Sequence, residues 1–172
     1  TPQVLNLSNI TVCPQAIVPV NLLTSNVAGA TYAWNLSNAT LGLSPISGTT
    51  NSIPSFTALN SSTAPVTGTV NIMPSVLLNG ISCAGTQASY TITVNPKPAM
   101  TAFNPELFVF CEATTATVNF NSNISNNMSY SWTNDNTAIG IGTSGTSSSP
   151  GAGLSFLAVN NSNQPLTSNF IA

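Results

Sequence analysis

The sequence predicts an all-β protein made of two tandem antiparallel β-sandwiches, the second incomplete. Three observations carry that prediction. The triplet Tyr32-Ala33-Trp34 returns as Tyr130-Ser131-Trp132, so the chain repeats itself at a spacing of 130 − 32 = 98 residues, and an internal period has to be recognised before any fold is assigned. Apolar residues alternate with Ser, Thr and Asn in short runs, the period of a strand with one buried face. Gly, Pro and Asn clusters separate these runs at regular intervals, as in all-β domains. No helix is expected, because Ser, Thr, Asn, Gly and Pro fill the windows and β-branched residues fill the apolar slots.

In order, Thr1–Leu7 reads as a linker entering a first strand that continues through Asn9–Val12 to a turn at Cys13-Pro14. Residues 17–23 form a second strand with Val18, Val20 and Leu22 on one face, and Pro19 either demotes it from a purely central strand or marks a bulge. Residues 26–30 are a turn. Residues 31–36 are the third strand, which places Tyr32 and Trp34 on one face. Residues 38–43 turn into a short connecting strand and residues 48–52 form a loop. Residues 53–59 are a strand with Phe56 and Ala58 inward, and Asn60–Pro65 is a polar turn. Residues 66–73 alternate Val66, Gly68, Val70 and Ile72. Asn79-Gly80 is a hairpin signal, since both residues tolerate positive φ. Residues 87–94 close the module with Tyr90, Ile92 and Val94 on one face. Asn95-Pro96-Lys97-Pro98 follows as a semi-rigid exit.

The second copy tracks the first. Cys13 matches Cys111, Val20 matches Val118, Asn38 matches Asn136 and Gly42 matches Gly140, all at an offset of 98. After a net insertion of two, Phe56 matches Phe156, Ala58 matches Ala158, Asn60 matches Asn160 and Pro65 matches Pro165. The predicted division is 1–95 for the first repeat, 96–99 for a Pro-rich linker and 100–172 for the second. The second repeat stops in the strand matching 66–73, before its last hairpin and closing strand. With no initiating Met, the chain reads as a fragment or a mature segment.

Composition excludes several function classes. Of 172 residues only Lys97, Glu106, Glu112 and Asp135 are charged, with no Arg and no His. A single Lys cannot make a phosphate-binding footprint, which excludes nucleic acid, or a basic membrane-surface patch. No apolar run reaches the roughly 18 residues of a membrane span, so direct insertion is not expected. Without His, and with carboxylates confined to the second copy, a nucleophile and base cannot be assembled, so an enzyme is not expected. No cofactor is implied. Calcium needs clustered oxygen ligands. Asp135 stands alone, and reads as a carboxylate serving backbone N–H groups in the turn after Trp132. Lys97 reads as a solvated linker charge rather than a cross-linking amine. Asn-X-Ser/Thr triplets such as Asn35-Leu36-Ser37 are expected by chance in a chain this rich in Asn, Ser and Thr.

Two sets of residues could carry more. Tyr32, Trp34, Tyr130 and Trp132 read as packing centres, with Phe56 and Phe156 as further core markers; the alternative is a set of sugar-stacking platforms. Cys13 and Cys83 could close a disulfide within the first module, with Cys111 unpaired in this segment. In seven-strand order, however, the first turn and the last hairpin lie at opposite ends. Cys83 would then meet a cysteine of a preceding module, or both would remain thiols.

Val12-Cys13-Pro14, Val27-Ala28-Gly29-Ala30-Thr31-Tyr32-Ala33-Trp34, Ile53-Pro54-Ser55-Phe56-Thr57-Ala58, Asn79-Gly80-Ile81-Ser82-Cys83-Ala84-Gly85-Thr86 and Tyr90–Pro98 occur in that order. The chain thereby resembles the PKD-like, immunoglobulin-like repeats of large Bacteroidota surface proteins. The resemblance implies a secreted, extracellular array exported by the type 9 secretion system, acting as an adhesin, gliding-associated filament or appendage stalk. Its expected partners are neighbouring repeats and other copies of the chain. Where that family's signature continues Trp-Asp-Phe-Gly-Asp-Gly, this chain has Trp34-Asn35-Leu36-Ser37 and Trp132-Thr133-Asn134-Asp135, so the acidic turn is missing. The competing expectation is a glycan- or partner-binding module that acts through its loops.

Overall fold

The computed structural model describes residues 1–101, 107–124, 127–148 and 152–172. These residues are mostly β-strand with no α-helix, as the period-two pattern predicts. The chain divides into two compact units, Thr1–Lys97 and Pro98–Ala172. Their boundary falls within the Pro-rich segment 96–99.

Unit 1 begins with β1 (Val4–Leu5), β2 (Ile10–Val12), β3 (Ile17–Val18), β4 (Asn21–Leu22) and β5 (Thr24–Ser25). It continues with β6 (Thr31–Leu36), β7 (Ser47–Gly48), β8 (Ser52–Ile53), β9 (Phe56–Thr57), β10 (Val66–Leu78), β11 (Ile81–Ala84) and β12 (Ala88–Val94). The main sheet has the order β2-β12-β10-β6-β7, with β11 also paired to β10. Three small antiparallel ladders, β1–β5, β3–β9 and β4–β8, form the rest. Val18 and Phe56 from these ladders pack with Trp34, Ile72 and Ile92 from the main sheet in one apolar cluster.

Three details depart from the sequence reading. One pairing is parallel: Ile10–Val12 runs alongside Ile92–Val94, so the first segment of the chain leaves β5 and joins the last strand. The chain passes through Asn6 at φ 58 between the two pairings. Residues 17–23 hold two short strands, β3 paired with β9 and β4 with β8, rather than one. Val18 and Leu23 are buried while Val20 and Leu22 are exposed. Pro19 has no N–H to continue the ladder, so the side-chain alternation restarts in the opposite phase after it. Residues 39–41 form a 3₁₀ turn instead of leading into a strand. The Asn38 side chain accepts from the Thr40 N–H, and Gly42 closes the turn at φ 103. A Cβ at Gly42 would lie 2.4 Å from the Thr57 carbonyl oxygen, so glycine is required there both by backbone angle and by space. The Asn79-Gly80 hairpin forms as expected. Leu78 pairs with Ile81, and the two loop residues have φ 51 and 80.

Unit 2 holds β13 (Thr115–Asn119), β14 (Ser129–Asn134), β15 (Ser144–Ser148), β16 (Gly153–Leu157) and β17 (Phe170–Ile171). β13 pairs with β16, and β15-β14-β17 form a three-stranded sheet. Its 3₁₀ turn, Thr137–Ile139, repeats the Asn cap and left-handed Gly at Asn136 and Gly140. Its core is looser. Leu41, Leu43 and Ala58 of unit 1 are buried, whereas Ile139, Ile141 and Ala158 at matching positions are half-exposed. Phe156, expected inward like Phe56, is also only half-buried.

Candidate functional site

The repeated aromatics sit on β6 and β14, whose alternation turns Tyr32, Trp34 and Leu36, and then Tyr130, Trp132 and Asn134, inward. Trp34 is 4% exposed and Trp132 8%. Each indole lies under a cross-strand glycine: Trp34 pairs with Gly48 and Trp132 with Gly145. Trp34 Nε1 donates to Thr50 Oγ1 at 3.4 Å. Both rings are covered, so neither offers a face to a sugar.

The glycine pairing was not read from the sequence. Gly48 follows its Trp by 48 − 34 = 14 residues and Gly145 by 145 − 132 = 13. The two repeats therefore lose one residue before the pair and gain three after it, which the net insertion of two concealed. A glycine at near-constant distance from each Trp was the available signal.

Unit 1 has two shallow surface depressions. One, of about 300 Å³, is lined by Ala33, Asn35, Asn71, Met73 and Gln87 over Trp34 and Ile72. The other, of about 430 Å³, is bordered by Gln15, Thr40, Leu59, Asn60, Ser61, Ser62 and Val66. The first presents amides and the second amides and hydroxyls, neither with a charged side chain. No group of three or more His, Cys, Asp or Glu side chains converges among the described residues. Glu106 lies outside the described residues.

Asp135 is a structural clamp. Its Oδ1 accepts from the Asn169 N–H at 2.8 Å and the Ser168 hydroxyl at 2.9 Å, and its Oδ2 accepts from Asn169 Nδ2 at 2.8 Å. Donors to the ionised form, the Asn169 backbone N–H foremost, hold its carboxyl below the ordinary 3.8. Beside it, buried Asn134 replaces the Leu36 of unit 1. Its Nδ2 donates to the Asn136 and Gly142 carbonyls at 3.0 Å, and its Oδ1 accepts from the Asn136 N–H at 3.1 Å and from Ser168 Oγ.

The two units are expected to respond to opposite pH extremes. The contribution of Asp135 to unit 2 is present above pH 3.8 and is lost as pH falls through its lowered folded value. In unit 1, burial raises the Tyr90 phenol above 10.0, partly opposed by a hydrogen bond with Asn21. That contribution is present below pH 10 and is lost as pH rises through the raised value. Denaturation curves across pH check both. D135N should remove the acid dependence at residues 168–169, and Y90F the alkaline one.

The structure corrects the intramodule disulfide. All three cysteines are free, with Cys13 and Cys111 exposed and Cys83 half-buried. Cys13 follows Val12, which pairs with Val94, and Val94 pairs with Val66. Cys83 instead pairs with Val76. Val66 and Val76 lie near opposite ends of the thirteen-residue β10, roughly 30 Å apart at about 3.3 Å per residue. A disulfide needs Cα atoms within about 7 Å. Cys111 repeats the setting of Cys13: Thr114 N donates to its carbonyl at 3.3 Å, as Ala16 N does to that of Cys13. The non-reduced chain is expected to titrate three thiols with a disulfide reagent, Cys13 and Cys111 faster than Cys83. A count of one would restore the bridge.

A second repeated device is the Asn-Ser turn. Asn60 Oδ1 accepts from the Ser62 N–H and hydroxyl, both at 2.8 Å, and Asn60 Nδ2 donates to the Ala64 carbonyl at 2.9 Å. Asn160, Ser162 and Gln164 reproduce it at 2.7–3.0 Å. The sequence marked both asparagines as turn formers without showing why Asn is needed. A scan of the chain against protein-family models finds no match, and a search of curated proteins likewise returns none.

Proposed function

We propose that this chain is a non-enzymatic stretch of a repeat array in a long secreted cell-surface protein, built of immunoglobulin-like (PKD-like) β-sandwiches that extend or stiffen an adhesin, filament or appendage. The observation that carries this reading is what the units share. Trp on Gly, the Asn-capped 3₁₀ turn and the Asn-Ser turn all recur, and each is a device for holding the fold. Asp135 and Asn134, the polar features of unit 2, have no counterpart in unit 1, where Ser37 and Leu36 stand. Repetition of scaffold without repetition of a polar constellation suits a load-bearing module whose stability is local to each repeat and its neighbours.

In-frame removal of this two-unit segment from the parent gene is the test. A shorter surface structure on intact cells with unchanged binding specificity is expected. Unchanged length with lost binding would overturn the reading. Because unit 1's sheet edges lack the Lys and Glu that discourage edge pairing, other copies are expected as lateral partners. Light scattering of the isolated segment at high concentration checks this.

One observation favours a second reading, glycan or partner binding. The depression around Gln15, Thr40, Asn60, Ser61 and Ser62 is rich in the amides and hydroxyls that could hydrogen-bond a sugar. It lacks an aromatic face. Reproducible glycan-array hits abolished by Q15A and T40A would favour it.

A further inference from the structure

Asn79-Gly80, the only Asn-Gly pair in the chain, stands at the tip of the hairpin formed by β10 and β11. The pairing of β10 with β6 ends at Ser75, opposite Thr31. From Val76 to Leu78 the only strand partner of β10 is β11, which pairs with no other strand. The tip is thus held by one two-stranded ladder, closed by Leu78 opposite Ile81. Leu77, Leu78 and Ile81 are 67%, 56% and 68% exposed, and Asn79 and Gly80 are exposed between them. A tip with so few buried contacts opens at far lower free energy than the sandwich on which it stands.

Both groups of the pair are uncommitted. No hydrogen bond holds the Asn79 side-chain amide among the described residues, and the Gly80 N–H donates to no described backbone carbonyl. A Cβ on Gly80 would meet nothing within 4 Å, so the space beside it is open. Other asparagines that precede small residues are held at both ends of the amide. Asn60, before Ser61, accepts from the Ser62 N–H and donates to the Ala64 and Val94 carbonyls. Asn38, before Ala39, accepts from the Thr40 N–H and donates to the Thr67 carbonyl.

We propose that Asn79 is a self-modification site. When the tip opens, the deprotonated backbone nitrogen of Gly80 attacks Cγ of Asn79. The new N–Cγ bond closes a five-membered succinimide, the Cγ–Nδ2 bond breaks, and ammonia leaves. Glycine favours the step, because no Cβ flanks the attacking nitrogen. Water then opens the ring, at Cγ to give aspartate or at the backbone carbonyl carbon to give isoaspartate. The net change is one amide and one water converted to one carboxylate and one ammonium ion, with no oxidant or reductant. Residues 1–96 contain no charged side chain, so the product carboxylate is the first charge of unit 1. It takes the formal net charge of the chain from −2 to −2 − 1 = −3. It also places among three exposed apolar side chains the kind of charge that discourages edge pairing of strands. Aspartate keeps the turn, since Asp-Gly accepts the same positive φ values. Isoaspartate lengthens the two-residue loop by one backbone atom and disrupts it.

The test incubates the full chain in mildly alkaline buffer and follows it by anion exchange and by mass spectrometry of peptic peptides. One more acidic species, about one dalton heavier, is expected. The change should be confined to the peptide containing residues 78–81, as a mixture of aspartate and isoaspartate. Its rate should rise with pH and exceed the rates at Asn38 and Asn60 at least tenfold. N79D, which keeps the turn, should elute with the aspartate product and form no further acidic species at that rate. An unchanged mass overturns the proposal. So does modification that begins at another asparagine, or aspartate formed without isoaspartate, the signature of direct hydrolysis without the ring.

Discussion

Replacing Trp34 with alanine is expected to destabilise unit 1 by about 3–5 kcal/mol, the range for deleting a large buried aromatic. That is a large part of the roughly 5–15 kcal/mol by which small domains are stable. The indole stands at the centre of the apolar cluster, with Leu36, Phe56, Ile72 and Ile92 buried in the same cluster. Strands on several sides hold these neighbours, so the cavity cannot collapse. W132A should fall toward the lower end of the range. Its surroundings in unit 2, including Phe156 and Ile141, are only partly buried and have room to relax into the space. The chain has two tryptophans, so each variant leaves one indole as reporter of the other unit. Circular dichroism during urea denaturation reads the loss. A change under 1 kcal/mol in W34A would show that Trp34 is not the packing centre.

Adding a single methyl at Gly48 or Gly145 is expected to cost about 1–3 kcal/mol through overpacking. A Cβ at Gly48 would lie 2.6 Å from Trp34 Cζ2, and one at Gly145 would lie 2.5 Å from Trp132 Cζ2. The Trp34 ring cannot retreat, because its other face is packed among buried neighbours. Trp132, in its looser surroundings, can give way in part, so G145A should fall toward the lower end of the range. To the extent that the ring holds, the strand must lift instead, breaking the Trp34–Gly48 or Trp132–Gly145 pairing. For a unit of this size the change corresponds to a fall in Tm of about 4–8 °C per kcal/mol. Gly142 is the matched control. A Cβ there meets nothing nearer than the Ser144 carbonyl oxygen at 4.0 Å, so G142A should leave the transition nearly unmoved. If G48A and G145A behave like G142A, the covered-ring account of both units fails.

Much of the architecture was legible because strands report themselves locally. The alternation Tyr32, Trp34, Leu36 and the run Tyr90, Ile92, Val94 each state which face is inward, since successive side chains point to opposite sides. Asn79-Gly80 names its turn through the positive φ that both residues accept. The same local rule failed at residues 17–23, where Pro19 interrupts the ladder and the alternation resumes out of phase. It also failed at residues 39–41, where side-chain capping by Asn38 favours a 3₁₀ turn over extended backbone.

The candidate site residues were legible by type and not by place. The three cysteines could be counted, but whether Cys13 can reach Cys83 depends on the ends of β10 to which two distant segments attach. Asp135 could be read as a turn carboxylate, but its partners, Ser168 and Asn169, lie over thirty residues away.

By itself, then, the sequence determined that this is an all-β protein with an internal repeat, four charged residues, no histidine and an aromatic pair in each copy. Those properties follow from composition, period and repetition, which are local quantities. Tertiary structure alone decided that Ile10–Val12 lies parallel to the last strand of unit 1, that each indole is roofed by a glycine, and that Cys13 and Cys83 stand apart. These are pairings between segments far apart in the chain. Hydrogen-bond register and the closure of a shared core select them, and no single stretch of residues encodes that selection.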